Sequence, residues 1–175
     1  MSSPAATDLT VHDFQIATNA AVWQVVNDDV MGGVSTGSLR LTNGVALFQG
    51  KVSLENNGGF ASAGSLPAQH GWAAGDTFVI RVRGGGKRYK FTARTDPSFN
   101  SAIYQCGFTT KNGEWEEHRL PFNQFVATFR GRVLSEEPPL DAAKVTSVGF
   151  LISDQQAGPF QLEVAWIKVA LPEGQ

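Results

Sequence analysis

The first clear pattern along the chain is a run of alternating apolar and polar residues between positions 38 and 48. Residues 38–42 and 45–48 alternate with a period of two, as in a β-strand with one buried face. The dipeptide Asn43-Gly44 between them is a preferred two-residue turn of a β-hairpin. The pattern therefore predicts a hairpin with two apolar residues of each strand in contact: Leu39 and Leu41 face Val45 and Leu47.

A second alternating pattern predicts another hairpin, from residue 78 to residue 94, with residues 84–86 (all glycine) as its turn. Its apolar residues share one face: Phe78, Ile80, Val82, Tyr89, Phe91 and Ala93. The opposite face collects five basic residues: Arg81, Arg83, Arg88, Lys90 and Arg94. Like charges across a strand pair are unfavourable unless they are solvated or paired. This basic face is therefore either a solvated surface, with Glu114, Glu116 and Glu117 as ion-pair partners, or a surface that binds an anion or docks a partner.

Four further segments alternate like strands: residues 103–110, 113–120, 146–153 and 160–169. Helical periodicity is scarce, and only residues 121–125 and 141–144 suggest short helical turns. Several short strands separated by turn residues are typical of an antiparallel β-sandwich or jelly roll. We therefore predict an all-β antiparallel sandwich, with a flexible segment at residues 1–12, one domain at residues 13–170 and a tail at residues 171–175.

Composition and charge narrow the classes of protein that fit this fold. The chain has 175 residues, of which 42% are hydrophobic and 17% charged, and this indicates a folded domain. The net charge of −2 gives no general attraction to nucleic acid. Cys106 is the only cysteine, which excludes an intrachain disulfide and favours a reducing compartment. Because no signal, transit peptide or membrane-spanning run is visible, we expect a cytoplasmic protein.

One short motif invites an enzymatic interpretation. Residues 33–37 match Gly-x-Ser-x-Gly, the nucleophile elbow of α/β-hydrolases, with Ser35 as the nucleophile. That elbow needs a strand before the serine and a helix after it, whereas Ser35 leads into the strand predicted at residues 38–42. We therefore expect a glycine-rich turn here, in a protein that is not an enzyme and has no catalytic residue, cofactor or metal.

The densest polar and glycine-rich segment lies between Trp23 and Ser35. The two adjacent carboxylates beside Asn27, together with Glu55, Asn56 and Asn57 later in the chain, are the kind of oxygen ligands that Ca²⁺ prefers. Neighbouring side chains of an extended strand, however, point in opposite directions. The alternative is a loop that fixes a turn or contacts a partner. We favour the loop, and the residues expected to bind a partner or ligand are Asn27, Asp28, Asp29, Met31, Gly32, Gly33 and Ser35.

A second segment of the same character lies between residues 53 and 62. Asn and Gly tolerate left-handed backbone conformations, so a tight connection alone explains this run. Its amides also suit hydrogen bonding to a protein partner or a sugar. The residues expected to take part are Glu55, Asn56, Asn57, Gly58, Gly59 and Phe60.

Both glycine-rich segments belong to a family resemblance. The sequences WQVVNDDVMGGVS at 23–35 and SLENNGGFAS at 53–62 are accompanied by Trp115, LPF at 120–122, FRGR at 129–132, VGFLISD at 148–154 and GPF at 158–160. From about residue 14 to residue 169 the chain resembles the domain of complex I intermediate-associated protein 30, an assembly factor of NADH:ubiquinone oxidoreductase. The resemblance implies a galactose-binding-like jelly roll with no established catalytic activity.

The family's known roles set the expected function. Its members act as assembly or scaffolding factors for membrane bioenergetic complexes, and related domains in photosynthetic organisms are linked to photosystem biogenesis. The absence of a visible transit peptide fits a bacterial relative better than the mitochondrial form. We therefore expect a chaperone-like assembly factor whose partners are protein subunits of a respiratory or photosynthetic complex, without nucleic acid and with at most a peripheral association with the membrane.

Two positions depart from the family's pattern. The family tends to have arginine where Gly64 stands, and aspartate where Gly85 stands. Loss of both charges together would suit a former charge pair. On that hypothesis, Gly64→Arg and Gly85→Asp should show positive coupling in the unfolding midpoint.

The alternative function is a carbohydrate- or small-ligand-binding module of jelly-roll type, which rests mainly on fold analogy. Such modules stack sugar rings on exposed aromatic side chains, whereas most tryptophans in a sandwich belong to the core. An exposed tryptophan over a concave sheet would favour a sugar, and an exposed apolar patch without a cleft would favour a protein partner. The tryptophans that decide this are Trp23, Trp72, Trp115 and Trp166.

Overall fold

Two antiparallel sheets pack face to face, which confirms the predicted all-β sandwich. The computed structural model describes residues 9–13, 23–27, 35–42, 44–54, 59–65, 76–95, 102–129, 132–134, 140–141, 144–153 and 156–170. The six-stranded sheet contains β1 (Leu9–Asp13), β3 (Thr36–Thr42), β4 (Val45–Val52), β6 (Thr77–Gly84), β9 (Trp115–Pro121) and β13 (Gly158–Ala170). The seven-stranded sheet contains β2 (Trp23–Asn27), β5 (Ala61–Ser65), β7 (Arg88–Arg94), β8 (Ile103–Thr109), β10 (Val126–Phe129), β11 (Arg132–Val133) and β12 (Ser147–Ile152).

Strand β13 organises the six-stranded sheet. The strand order is β3-β4-β13-β6-β9, and β1 also pairs with β13. Because β13 is 13 residues long, its first half pairs with β4 and its second half with β1, while β6 lies along its other side. The seven-stranded sheet has the order β11-β10-β8-β7-β12-β5-β2. In both sheets, some strands that lie side by side are far apart in the sequence, as they are in a jelly roll.

The first predicted hairpin forms, but with a different pairing of apolar residues. Strands β3 and β4 join through a two-residue turn, in which Gly44 has a φ of 79°. A two-residue turn pairs Thr42 with Val45, and so Leu41 pairs with Ala46 and Leu39 with Phe48. The predicted contacts of Leu39 and Leu41 with Val45 and Leu47 are therefore wrong, since those two residues lie on the outer face of the sheet.

The second predicted hairpin does not form. Strand β6 pairs with β13 and β9, whereas β7 pairs with β8 and β12, so residues 84–86 carry the chain from one sheet to the other. Thr110 fixes this corner: its hydroxyl donates to the carbonyl oxygen of Lys87 at 2.8 Å and accepts from the amide of Gly86 at 3.1 Å. The basic face predicted from one hairpin is consequently divided between two opposite surfaces.

The apolar faces of β6 and β7 meet across the core instead of side by side. The rings of Phe78 and Phe91, one from each strand, have centroids 4.8 Å apart, and Phe91 also packs edge-on against Phe150 at 5.3 Å. Cys106 of β8 is buried in the same core, and burial raises the pKa of its thiol. Alternation thus identified the buried residues correctly, and only their arrangement differs.

The remaining predicted elements agree closely with the structure. The four predicted strands correspond to β8, β9, β12 and β13, and the helical turn predicted at residues 121–125 is a 3-10 helix at Phe122–Gln124. In the second predicted turn, the amide of Lys144 donates to the carbonyl oxygen of Asp141 at 3.0 Å. Leu9–Asp13 forms β1 and pairs with β13, although it overlaps the segment expected to be flexible. The predicted division of the chain into domain and tails stays a prediction.

Candidate functional site

The two glycine-rich segments of the family pattern are joined at both of their ends. Strand β2 ends at Asn27, which pairs with Ala61, the first residue of β5. The first segment therefore leaves the sheet where the second one enters it. At their other ends, the Ser35 hydroxyl accepts from the amide of Ser53 at 2.8 Å and lies 3.2 Å from its carbonyl oxygen, to which it donates. We call this part of the sandwich, bounded by Asn27, Ser35, Ser53 and Ala61, the motif end.

Ser35 ties the two segments together and does not lie open as a nucleophile would. Its residue surface is only 5% exposed, and its hydroxyl is engaged with the backbone of Ser53. The residue that follows it begins strand β3, not a helix. A hydrolase elbow requires an exposed Oγ on a strand-to-helix turn. The geometry therefore gives Ser35 a structural role.

Most other residues predicted for this site lie outside the described residues. These are Asp28, Asp29, Met31, Gly32, Gly33, Glu55, Asn56, Asn57 and Gly58, together with the side chain of Asn27. Gly59 has a φ of 133°, where a side chain would be strained, and its added Cβ would lie 3.3 Å from Leu54. Phe60 is half-buried beside it. Their role in binding stays a prediction.

The calcium site considered as an alternative also stays a prediction, because its carboxylates lie outside the described residues. No group of three or more His, Cys, Asp or Glu side chains that could hold a metal occurs among the residues with described positions. The carboxylates considered for calcium, Asp28, Asp29 and Glu55, are not among them.

A cleft of about 540 Å³ opens beside the motif end. It brings together three glycines from separate parts of the chain with a set of polar side chains: Gly37, Gly50 and Gly85, with Ser38, Gln49, Lys87 and Gln161. A Cβ at Gly50 would collide with the carbonyl oxygen of Thr36, so this close approach of β3 and β4 requires glycine. None of the described residues lining the cleft carries a carboxylate, and Lys87 supplies a positive charge.

Tyr89 forms part of the cleft wall through a fixed hydrogen bond. Its hydroxyl donates to the carbonyl oxygen of Gln161 at 3.1 Å, which links β7 of one sheet to β13 of the other. Burial raises the pKa of Tyr89 to about 12. The alternating pattern of residues 88–94 predicts only a core position for Tyr89. The run of glycines next to Lys87 was the one signal of a cleft here.

The connection between β12 and β13 is also held at this end. The amide of Arg88 donates to Oε1 of Gln156 at 2.9 Å, and Nε2 of Gln156 donates back to the carbonyl oxygen of Arg88 at 2.8 Å. A side-chain amide that satisfies both backbone groups of one residue fixes its segment firmly. The cleft therefore lies on a well-connected frame.

The five residues of the predicted basic face occupy two opposite surfaces. Arg81 and Arg83 lie on the outer face of the six-stranded sheet, and Arg88, Lys90 and Arg94 belong to β7 in the other sheet. Arg83 forms a bidentate ion pair with Glu163, at 2.9 and 3.1 Å, and not with Glu114, Glu116 or Glu117. The hydrogen bond that Arg83 donates to the Glu163 carboxylate raises the pKa of Arg83, whereas burial lowers the pKa of Arg94.

The described tryptophans do not form an open sugar platform. Trp23 stacks on Phe150, with ring centroids 6.1 Å apart. The guanidinium carbons of Arg81 and Arg83 lie 5.4 and 5.0 Å from the ring centroid of Trp115, and Lys168 lies 4.2 Å from that of Trp166. Cations thus already contact two of these rings. Trp72 lies outside the described residues.

Solved structures with this fold include carbohydrate-binding modules. A family 11 carbohydrate-binding module of a cellulosomal cellulase from Clostridium thermocellum is similar over 98% of this chain and 99% of its own, with a TM-score of 0.71 and 14% identity. An agarase is similar over 96% of this chain and 25% of its own, with a TM-score of 0.64 and 10% identity. Identities this low establish the fold alone.

Within the described ranges, no helical segment has the length and apolar character that a bilayer crossing needs.

Relatives in sequence are named for complex I. The mitochondrial complex I intermediate-associated protein 30 of Mus musculus is 31% identical over 168 residues, covering 84% of this chain and 51% of its own length. The protein of the same name in Drosophila melanogaster is 27% identical over 187 residues, covering 94% and 63%. The chain thus spans between about half and two thirds of the length of these relatives. Their mitochondrial names do not support the bacterial, photosynthetic or cytoplasmic parts of our expectation.

The family model described as complex I intermediate-associated protein 30 matches residues 12–164. The match extends from β1 into β13 and includes both segments of the motif end. The chain therefore belongs to the complex I intermediate-associated protein 30 family.

Proposed function

We propose that this protein is a non-enzymatic assembly or scaffolding factor that holds a protein subunit of a respiratory complex at its motif end. The observation that carries the proposal is the joining of the two family segments through Ser35–Ser53 at one side and Asn27–Ala61 at the other. Loops that bind partners are commonly held in place by a rigid scaffold. Family membership supports complex I as the assembly concerned, because the relatives are named for its intermediates.

The composition of the two segments suits recognition of a polypeptide. Asn and Asp side chains offer hydrogen-bonding groups, and glycines allow a partner's backbone to approach closely. The proposed contacts are Asp28 and Asp29 from the first segment and Asn56 and Asn57 from the second. No cofactor takes part in this function. A respiratory partner also implies that the protein works beside a membrane. The names of its relatives, which include the word mitochondrial, support a place beside the respiratory chain.

Affinity purification from the native organism, followed by mass spectrometry, tests this function. We expect the unaltered protein to recover subunits of complex I, and Asp28→Ala and Asn56→Ala each to reduce that recovery while keeping the melting temperature. Matched controls are Asp76→Ala and Asn123→Ala, which remove the same side-chain types at exposed positions of the opposite end of the sandwich. Loss of soluble protein in both motif-end variants would instead make the segments purely structural.

The cleft favours a second candidate, the binding of a small polar ligand such as a carbohydrate. Its volume of about 540 Å³ and its amide and hydroxyl groups fit a ligand of that kind. A glycan array tests it, with Gln49→Ala and Gln161→Ala as variants that remove polar groups from the cleft. Binding of a glycan that both variants weaken would support this candidate, and an array without any binding would exclude carbohydrates as the ligand.

A further inference from the structure

The outer face of the six-stranded sheet concentrates basic residues from five strands. Register places these side chains on one side of the sheet, opposite to the core, and we call this surface the cationic face. Its basic residues are Arg40, Lys51, Arg81, Arg83, Arg119 and Lys168. The described acidic residues on the same face are Glu117 and Glu163. Asp13 of β1 adds one acidic residue in register with Trp166 at the edge.

One row across the sheet illustrates how the face is assembled. Arg40 of β3 pairs with Leu47 of β4, and Leu47 pairs in turn with Glu163 of β13. On the other side of Glu163 lies Arg83 of β6, which pairs with Trp115 of β9. The row therefore crosses all five strands from β3 to β9. Opposite residues in antiparallel strands lie on the same face, so their side chains are neighbours. No segment of the sequence contains this set.

The excess of positive charge stands out against the whole chain. The chain as a whole has a net charge of −2, whereas the face combines six basic side chains with the two described acidic ones. Other surfaces must therefore carry the balancing negative charge. A charge distribution this uneven orients the molecule towards a negatively charged partner as the two approach.

The central cations of this face are already held in place. Arg83 is fixed by two hydrogen bonds to Glu163 and by the ring of Trp115, which Arg81 also contacts. Lys168 lies over Trp166 in the same way. Long side chains that are ordered before binding lose less conformational entropy when a partner arrives. The face therefore has the preorganisation that a specific interface needs.

We propose that the cationic face is a second docking surface, whose occupant is an acidic protein surface. The proposal rests on the proposed assembly function and adds the chemistry of a partner at a separate site. Arg and Trp are the residue types enriched where protein interfaces gain most of their binding energy. Glu163 and Glu117 place negative charges among the positive ones, and a partner with the complementary arrangement of charges can match them.

Two other classes of partner fit the face less well. Single-stranded nucleic acid needs aromatic rings on which bases stack, and cations already contact the rings of Trp115 and Trp166. A membrane surface is best held by basic residues together with apolar side chains that enter the lipid. The exposed large hydrophobic side chains among the described residues, Leu54, Val126 and Val133, do not lie on this face.

Calorimetric titration with poly-L-glutamate at low salt tests the proposal on the intact protein. The face variant combines Arg40→Gln, Lys51→Gln and Arg119→Gln, which are exposed positions outside the Arg83–Glu163 pair. The matched control combines Arg88→Gln, Arg132→Gln and Lys144→Gln, which remove three exposed positive charges elsewhere. We expect the face variant to bind about tenfold more weakly, from roughly three surface charge contacts, and the control to bind within about twofold of the unaltered protein.

Several outcomes would overturn the proposal. No binding of poly-L-glutamate, or an equal loss in both variants, would mean that the face has no special role. Vesicles rich in anionic phospholipid and a single-stranded oligonucleotide serve as competing probes. If the face variant weakens either of these more than poly-L-glutamate, the occupant is a membrane or a nucleic acid and not a protein. If poly-L-glutamate binds the face variant and the control equally while the face variant still recovers complex I subunits, the proposed function stands and only this second surface is removed.

Discussion

Thr110 occupies the space that a side chain at Gly84 would need. A Cβ atom added at Gly84 would lie 2.5 Å from Oγ1 and 2.6 Å from Cβ of Thr110. Thr110 is held there by its hydrogen bonds to Lys87 and Gly86. The chain turns from one sheet to the other at this contact, so the corner depends on a glycine and a threonine that fit each other.

Gly84→Ala should therefore destabilise the fold. The added methyl group meets a buried side chain that its own hydrogen bonds hold in place, and overpacking of this kind costs about 1–3 kcal/mol. Urea unfolding measures the effect. The control is Gly85→Ala, whose added Cβ has no neighbour within 4 Å and which should change the free energy of unfolding by less than about 0.5 kcal/mol. Equal effects of the two variants would contradict the proposed fit.

Ser35→Ala should lower stability and loosen the motif end together. The variant leaves the amide and carbonyl of Ser53 without their bond to Oγ, which costs about 1–2 kcal/mol in a partly buried setting. Hydrogen exchange at Ser53 should become faster. The control is Ser38→Ala, because Ser38 is exposed on β3, the strand that follows Ser35. Unchanged exchange at Ser53 in Ser35→Ala would show that the tie does not hold the two segments.

Tyr89 should make the protein less stable at high pH. Its pKa is about 12 in the folded state, against an ordinary value of 10.0 for a tyrosine in the unfolded chain, so the unfolded chain ionises first. The folded state then retains a proton that the unfolded state has lost, and the contribution is complete below pH 10 and lost as the pH rises towards 12.

The measurement is the free energy of unfolding on both sides of this range, for the unaltered protein and for Tyr89→Phe. The variant loses the hydrogen bond to Gln161, which lowers its stability at neutral pH by about 1 kcal/mol. Its stability should nevertheless fall less steeply above pH 10. Parallel pH curves for the two proteins would contradict burial of the phenol as the cause.

Gly64→Arg and Gly85→Asp should act independently, contrary to the charge pair inferred from the family pattern. Gly64 pairs with Gly149, which pairs with Thr92 of β7, so Thr92 lies two strand spacings from Gly64. The corner at residues 84–86 precedes β7, whose first residue, Arg88, is four residues before Thr92. With about 4.8 Å between strands and 3.3 Å per residue, this places Gly64 about 16 Å from Arg88, and Gly85 lies beyond it. An ion pair needs atoms within about 4 Å.

Unfolding midpoints of both single variants and of the double variant decide the matter. A Cβ at Gly64 meets only Val148 O at 3.7 Å and one at Gly85 meets nothing, so both variants should fold. We expect the two shifts to add within about 0.5 kcal/mol. A larger positive coupling would restore the charge pair.

The two predicted hairpins show what alternation can and cannot establish. A period of two identifies the apolar face of each strand, and this was correct for both β6 and β7. It does not state whether two successive strands lie side by side or face each other across a core. The Asn43-Gly44 turn resolved that question for β3 and β4, whereas the corner at residues 84–86 depends on Thr110, which is distant in sequence.

For the candidate sites, too, the local sequence predicts the segments involved but not the contacts between residues distant in sequence. Composition and family pattern identified both segments of the motif end from local sequence alone. Their junction depends on the bond between Ser35 and Ser53 and on the pairing of β2 with β5, which are long-range contacts. The cationic face was missed because its basic residues come from five strands that only the sheet order brings together.

Strand β13 also has a consequence for biosynthesis. It follows all the other described strands in the chain, yet β4, β1 and β6 each pair with it. While a ribosome is still adding the preceding residues, each of those strands lacks this neighbour and leaves backbone amides and carbonyls unpaired. Unpaired strand edges promote association between chains. Until its last described strand has emerged, the nascent chain therefore exposes strand edges through which it can associate with other chains.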